Sequence, residues 1–298
     1  MSYAVAVIGL GAMGMGAAQS CVRAGLDTYG VDLSAQARDV LQAAGAKAVA
    51  ASADGFADKL DAVLLLVVNA AQVDAVLFGE SKLADKLKPG TAVMVSSTIA
   101  AQDACRFGEA LAARGLLMLD APVSGGAAKA AAGEMTVMAA GDDAAFAKLQ
   151  PVLDAVAGKV YRCGKDIGQG ATVKIIHQLL AGVHIAAGAE AMALAAKAGI
   201  PLDLMYDVVT HAAGNSWMFE NRMKHVVDGD YTPLSMVDIF VKDLGLVTDT
   251  GKALRFPLPL ASTAFNMFTE ASNAGHGKED DSAVIKIFSG IELPKKGG

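Results

Sequence analysis

Two stretches of this chain hold side chains whose types and spacing can do chemistry. The first is Gly168-Gln-Gly-Ala-Thr-Val-Lys174-Ile-Ile-His177-Gln178. Lys174 lies among apolar neighbours, and His177 and Gln178 follow it at the spacing that puts all three on one helix face. Burial disfavours the charged form of a lysine and lowers its pKa, which makes it a proton carrier near neutral pH. Taken alone, a helical lysine is more often a solvated surface residue. The second stretch is Asp120-Ala-Pro-Val-Ser124-Gly125-Gly126, directly after an apolar run. Glycines beside a hydroxyl form a pocket of backbone N–H groups able to hold a carboxylate, although composition alone fits a plain turn equally well.

A third pattern binds rather than reacts. The apolar run Ala4-Ile8 leads straight into Gly9-Leu-Gly11-Ala12-Met13-Gly14, and Tyr29-Gly-Val-Asp32 follows after a helix-length stretch. Strand, G-x-G-x-x-G turn and a later acid form the dinucleotide-binding fingerprint. Gly9 permits the tight turn, Gly11 lets the pyrophosphate approach the backbone, and Gly14 lets helix and strand pack closely. The phosphates then meet the N–H groups of Ala12 and Met13 and the positive end of the helix dipole. Asp32 would accept from both adenosine-ribose hydroxyls and repel a 2′-phosphate. No arginine follows in Leu33-Ser34-Ala35-Gln36, so the cofactor expected is NAD rather than NADP. Asp32 could instead cap the helix near Ala35, although Ser34 is better placed for that. Nicotinamide's positive charge would lower the pKa of a nearby Lys174 further.

The elements that must position these residues are legible in outline. Strands are expected at Ala4-Ile8, Leu26-Val31, Ala62-Val68, Thr91-Val95, Leu116-Leu119, Met135-Ala139 and Lys159-Tyr161, with helical stretches such as Ala35-Ala44 and Ala101-Arg114 between them. That alternation predicts an α/β, Rossmann-type doubly wound N-terminal domain over residues 1–164. Beyond Gly164 no convincing strand appears. Gly170-Lys197 reads as one long helix ended by Gly199 and Pro201. Helices follow at Leu202-Ala212, Trp217-Val227, Val237-Leu254, Pro259-Ala274 and Ser282-Phe288, making residues 165–298 an all-helical domain joined to the first by the long helix. The tail Pro294-Gly298 is expected to be disordered. The active site is expected in the cleft between the domains, at the strand carboxyl ends.

Composition narrows the function classes. Of 298 residues, 53% are hydrophobic and 19% charged, which allows a real core and excludes a disordered chain. A formal net charge of -6 with no Lys/Arg stripe excludes a nucleic-acid surface. Three scattered cysteines (Cys21, Cys105, Cys163) suit a reducing cytoplasm, and the acidic residues form no metal-ligand cluster. The most apolar stretch, Leu179-Ile200, is interrupted by His184, Glu190 and Lys197 at helical spacing, so it reads as a buried helix rather than a membrane span. The partner expected is a small hydroxy-acid substrate, with no nucleic acid and no membrane.

The three motifs, in this order and spacing, resemble the β-hydroxyacid dehydrogenase family, which includes 3-hydroxyisobutyrate dehydrogenase, tartronate semialdehyde reductase and, more distantly, 6-phosphogluconate dehydrogenase. The likeness continues through Phe240-Val-Lys242-Asp243-Leu244 and Gly277-Lys-Glu-Asp280-Asp-Ser282-Ala283. The resemblance implies that Lys174 is the catalytic lysine and that Ser124, Gly125 and Gly126 hold the substrate carboxylate. It implies that Thr98 lies beside the nicotinamide ribose and that Lys242 closes over cofactor and substrate. From the residues alone, Lys242 reads as a surface charge paired with Asp243 or Asp238. The family's Leu-Pro after the fourth strand is replaced here by Val67-Val68-Asn69, and the resemblance implies that Val68 and Asn69 lie at the cofactor. The family also implies a homo-oligomer, a dimer or tetramer.

The family's two asparagines after the lysine are here His177 and Gln178. With Gly214-Asn215-Ser216-Trp217-Met218-Phe219-Glu220-Asn221-Arg222, they resemble the branch that oxidises the four-carbon sugar acid L-threonate at C2 to a 2-oxo acid. Polar groups at 177, 178, 215 and 221 suit a polyhydroxylated substrate, whereas by position alone Asn215 and Ser216 cap a helix and Asn221 and Arg222 face solvent. The alternatives are a hydroxyisobutyrate dehydrogenase, a semialdehyde reductase, an imine reductase on the same scaffold, and a non-catalytic NAD-binding regulator.

Overall fold

In the computed structural model, which describes residues 3–297, the strands are β1 (Ala4–Ile8), β2 (Asp27–Val31), β3 (Ala48–Ala50), β4 (Ala62–Leu65), β5 (Ala92–Val95), β6 (Leu117–Asp120), β7 (Val123–Ser124), β8 (Met135–Ala140) and β9 (Ala157–Gly164). They form one sheet in the order β3-β2-β1-β4-β5-β6-β8-β7, with β9 on β8. Pairs from β3 through β6 are parallel, and β8 runs antiparallel to β6 and β7. Crossover helices explain the apolar runs. Along β1, Ala4, Ala6 and Ile8 enter one core while Val5 and Val7 enter another on the opposite face; β4 and β5 divide in the same way. Helices α1 (Ala12–Arg23), α2 (Ala35–Ala43), α3 (Ala70–Phe78), α4 (Leu83–Lys86), α5 (Ala101–Ala112), α6 (Gly126–Ala132) and α7 (Asp143–Val156) complete the doubly wound unit. Phe107 and Leu111 of α5 cover one face, and Phe146 and Leu149 of α7 the other.

Local details depart from the sequence expectation. Ala62-Val68 is not one strand: β4 stops at Leu65, paired with Ile8 at the end of β1, and after one more bond, from Leu66 N–H to the Ile8 carbonyl, the chain turns toward α3. β3 and β7 are too short to show a periodicity. β9 is longer than expected because β8 supplies a ladder for residues such as Ala157 and Gly164, whose own sequence carries no strand pattern.

The chain divides into two compact units, one ending at Lys174 and the other beginning at Ile175. The division falls inside α8 (Gln169–Lys197), whose first turn packs with the sheet. Ala171 lies in a sheet core, and a Cβ on Gly170 would come within 2.4 Å of the Asp120 carbonyl oxygen.

The second unit is helical, with one isolated bridge between Met236 and Asp280. After α8 come α9 (Leu202–Thr210), α10 (Trp217–Asp228), α11 (Val237–Leu254) and α12 (Pro259–Ala271). Small residues on α8 admit its neighbours closely: a Cβ on Gly182 would lie 2.9 Å from Leu244, and one on Gly188 3.1 Å from Phe219. By length and apolarity α8 could cross a membrane, but half of its most apolar window is buried inside the protein. Two helical stretches change character. Ser272–His276 continues α12 as a wide turn broken by Gly275 at φ 96°. Asp281–Ile287 is a 3₁₀ helix whose start is set by the Asp280 side chain, which accepts from both the backbone N–H and the hydroxyl of Ser282. The tail, expected to be disordered, places Pro294 and Lys295 against Gly229 and pairs Lys296 with Asp230 at 2.8 Å; Gly298 lies outside the described residues.

Candidate functional site

Because β1, β2, β4, β5 and β6 are parallel, their carboxyl ends share one edge of the sheet. That edge carries Gly9, Gly11, Ala12, Met13 and Gly14 after β1, Asp32 after β2, Val68 and Asn69 after β4, and Thr98 after β5. The chain leaves β6 over the same edge and runs through β7 to Ser124, Gly125 and Gly126, with Ser124 paired to Thr136. The strand order reverses at β1, which has β2 on one side and β4 on the other, as ligand-binding open sheets require.

The glycine turn is shaped from both sides. At Gly14 a Cβ would lie 1.7 Å from the Gly9 carbonyl oxygen, and Gly9 holds φ 89° with Leu66 O only 2.8 Å from where its Cβ would be. Packing and backbone conformation therefore demand both glycines. Gly11 is different, since a Cβ there would meet nothing within 4 Å. Gly11 also caps α1 with no side-chain hydrogen bond, so the first N–H groups of α1 open onto that space. At the end of β5, the buried hydroxyl of Ser97 has no hydrogen-bond partner among the described residues. An open glycine at a helix N-terminus with no side-chain cap, with an orphaned hydroxyl along the same edge, fits a bound dinucleotide.

Asp32 is built into this turn. Its Oδ2 accepts from Leu10 N–H at 2.7 Å and its Oδ1 from Ser34 N–H at 2.8 Å. The cap of α2 comes from Ser34, whose hydroxyl accepts from Ala37 N–H. An arginine does reach this corner, two residues beyond Leu33-Gln36: Arg38 donates to the carbonyls of Asp32 and Leu33 at 2.7 and 2.9 Å. Val68 and Asn69 are committed to the start of α3. Asn69 Oδ1 accepts from Gln72 N–H at 2.9 Å, and Val68 N–H donates to Gln72 Oε1 at 2.7 Å.

Asp120, read from sequence only as the start of a loop, is 1% exposed and does structural work. Its Oδ2 accepts from Gly168 and Ala171 N–H at 2.9 and 2.8 Å, capping α8 from 48 residues away. Burial pushes its carboxyl up to about 6, against the helix N–H donors that hold it down. Nothing local in the sequence signals this bond. Its effect is to fix the turn from which Lys174, itself buried, projects.

In the second unit, Gln178 meets α11. Gln178 is buried and donates through Nε2 to Asp243 Oδ2 at 2.5 Å, while its Oε1 lies 2.9 Å from His177 Nδ1. Lys242 pairs with the other oxygen of Asp243 at 2.6 Å, the partner expected of it as a helix charge. The remaining polar candidates are held by neighbours, except that the buried Oδ1 of Asn215 has no hydrogen-bond partner among the described residues. Ser216 caps α10, Asn215 donates to Glu220 at 3.2 Å, and Asn221 accepts from Arg222. Arg222 does not face solvent; it is buried and pairs with the buried Asp281 at 2.7 Å.

Residues 4–164 match the family model for the NAD-binding domain of 6-phosphogluconate dehydrogenase, and residues 168–288 that for the NAD-binding of NADP-dependent 3-hydroxyisobutyrate dehydrogenase. The chain belongs to the β-hydroxyacid dehydrogenase family. As a β-hydroxyacid dehydrogenase it is an NAD-dependent oxidoreductase of a small hydroxy acid. Among its relatives, L-threonate dehydrogenase of Pectobacterium atrosepticum is 77% identical, covering 99% of this chain and 97% of that protein. L-threonate dehydrogenase of Haemophilus influenzae is 76% identical over 99% and 98%. The crystal structure of 3-hydroxyisobutyrate dehydrogenase from Salmonella typhimurium superposes with a TM-score of 0.93 at 72% identity, covering 96% of this chain and all of that one. Imine reductases share the fold at 18–21% identity, which bears on the fold alone.

Proposed function

We propose that this β-hydroxyacid dehydrogenase oxidises L-threonate at C2 to the 2-oxo acid, with Lys174 as the general base. The observation that carries the substrate is the pair His177 and Gln178, anchored by Asp243. Two polar side chains there suit a chain of hydroxyls better than a methyl branch. The names of the relatives most similar in sequence support the same substrate.

Ser124, Gly125 and Gly126 would hold the substrate carboxylate. Gly125 and Gly126 both take positive φ, 130° and 70°, and so present backbone N–H groups in a turn that few other residues adopt. NAD would be held by Gly9, Gly11, Ala12, Met13, Gly14, Asp32, Val68, Asn69, Thr98 and Lys242, and when bound it supplies the acceptor for a hydride. Lys174, neutral and buried, takes the proton from the C2 hydroxyl at Nζ while the C2–H bond breaks with its electron pair. Gln178 and His177 orient the hydroxyls. We also place the reaction in the cytoplasm, on the free state of Cys21, Cys105 and Cys163. We propose a dimer or tetramer, on the exposed apolar side chains of Leu180 and Leu194 on α8.

The test is a panel of C3 to C6 hydroxy acids assayed with NAD and with NADP. L-threonate with NAD is expected to give the highest kcat/KM. The name of the Salmonella structure favours a second reading, 3-hydroxyisobutyrate, and a preference for that acid would replace our substrate. A preference for NADP would remove the role given to Asp32. Lys174→Ala should lower turnover by roughly 10²–10⁴-fold, the usual range for a general acid or base, with NAD affinity nearly unchanged. Near-normal turnover in that variant would take the lysine out of the reaction.

A further inference from the structure

Asp243 is 2% exposed and touches two of the residues assigned above, Lys242 through one oxygen and Gln178 through the other. The polarity of each link is dictated by chemistry. A carboxylate beside an ammonium group only accepts, so the NH₂ end of the Gln178 amide must face it. The carbonyl end is thereby turned to His177. A carbonyl also only accepts, so at 2.9 Å the neutral imidazole must carry its proton on Nδ1. Nε2 is then the acceptor of the ring, the reverse of the tautomer that a histidine side chain prefers in water.

We infer that Asp243 is a positioning residue for substrate specificity: through the Gln178 amide it holds His177 in the Nδ1–H tautomer, so that Nε2 accepts a hydrogen bond from a hydroxyl of a polyhydroxylated acid. The inference rests on reading His177 and Gln178 as substrate contacts. It explains what the change from two asparagines to His-Gln accomplishes. An amide can swap its donor and acceptor ends, whereas an imidazole locked in one tautomer selects for a donor. An acid with a single hydroxyl, already engaged by Lys174, has no second donor to offer.

Asp243→Asn is nearly isosteric but lets the Gln178 amide flip. It should lower the ratio of kcat/KM for L-threonate over 3-hydroxyisobutyrate by about 2- to 10-fold, the cost of a lost hydrogen bond between two neutral groups. In a Gln178→Ala background the same substitution should leave that ratio unchanged. A merely structural role would lower kcat/KM for both acids alike, and an unchanged ratio would overturn the inference. If the variant fails to fold, ¹⁵N NMR of histidine-labelled wild-type protein at alkaline pH decides. His177, assigned by loss of its signals in His177→Gln, is expected to show a protonated Nδ1 and an unprotonated Nε2. The opposite pattern would overturn the proposal without any turnover being measured. Absence of turnover on either acid would sink the functional reading and leave the tautomer measurement standing as the test of this one.

Discussion

An added Cβ at Gly11 would meet nothing within 4 Å, and the residue's φ of -69° and ψ of -166° suit any L-amino acid. Nothing in the protein therefore requires glycine there, and the requirement must come from what lies opposite. Gly14 is the contrary case, since its Cβ would be driven into the Gly9 carbonyl. The two substitutions should separate cleanly. Gly11→Ala should keep its stability within about 1 kcal/mol, the scale of an altered N-cap, yet weaken NAD binding. Gly14→Ala should destabilise the protein itself, because a contact of 1.7 Å forces backbone to move. Thermal unfolding with and without NAD measures both effects. A Gly11→Ala protein with undiminished NAD affinity would show that the open space at that position is not where the pyrophosphate lies.

At the level of elements, α8 shows how far the sequence could be read and where reading stopped. Its extent was visible from Gly170 to Lys197, because the run has no breaker before Gly199 and Pro201. The doubly wound alternation and the helical second half were equally visible. What fastens α8 was not, since Asp120 and Gly168 come together only when β6 and the start of α8 are side by side. Asp243 was legible only as a charge beside Lys242, and its burial was not, for a related reason: a buried carboxylate on α11 has the same one-dimensional pattern as a surface charge. Asp120 also makes the cap sensitive to pH. Its folded pKa, about 6, lies above its ordinary 3.8, so between these values the folded state holds more proton than the unfolded one. Stability from this group is complete below about 4 and is lost as pH rises through 6. Asp120→Asn keeps an acceptor for Gly168 and Ala171 but cannot ionise. The stability of wild type relative to this variant should fall by about 2–2.5 kcal/mol from pH 4 to pH 7, most of what the shift carries at 1.36 kcal/mol per pKa unit. Denaturant melts across that range measure it, and parallel pH profiles would show that burial does not govern this carboxyl. Asp120→Ala should cost about 1–3 kcal/mol through the orphaned N–H groups.

Across the whole molecule, three apolar cores are distributed over two units. Two lie on the faces of the sheet, and the last residue of α8 that they include is Ala171; the third begins at Ile175. The expected contacts of NAD with the glycine turn, Asp32 and Thr98 all lie in the first unit, and Lys242 alone lies in the second. A ligand stabilises whatever cooperative unit binds it, by about 2.7 kcal/mol at a hundred times its Kd. If each core unfolds as its own unit, NAD without substrate should slow amide exchange by about a hundredfold in the sheet strands of residues 3–174, at amides that exchange by opening of that unit. Amides buried in α10 and α12, which contain none of the proposed contacts, should change little. Hydrogen exchange followed by mass spectrometry resolves the two sets of peptides. Equal protection in both would show that the two units open together, with α8 transmitting the stability gained at the sheet. Protection confined to the helical unit would contradict the assignment of the glycine turn as the cofactor's anchor.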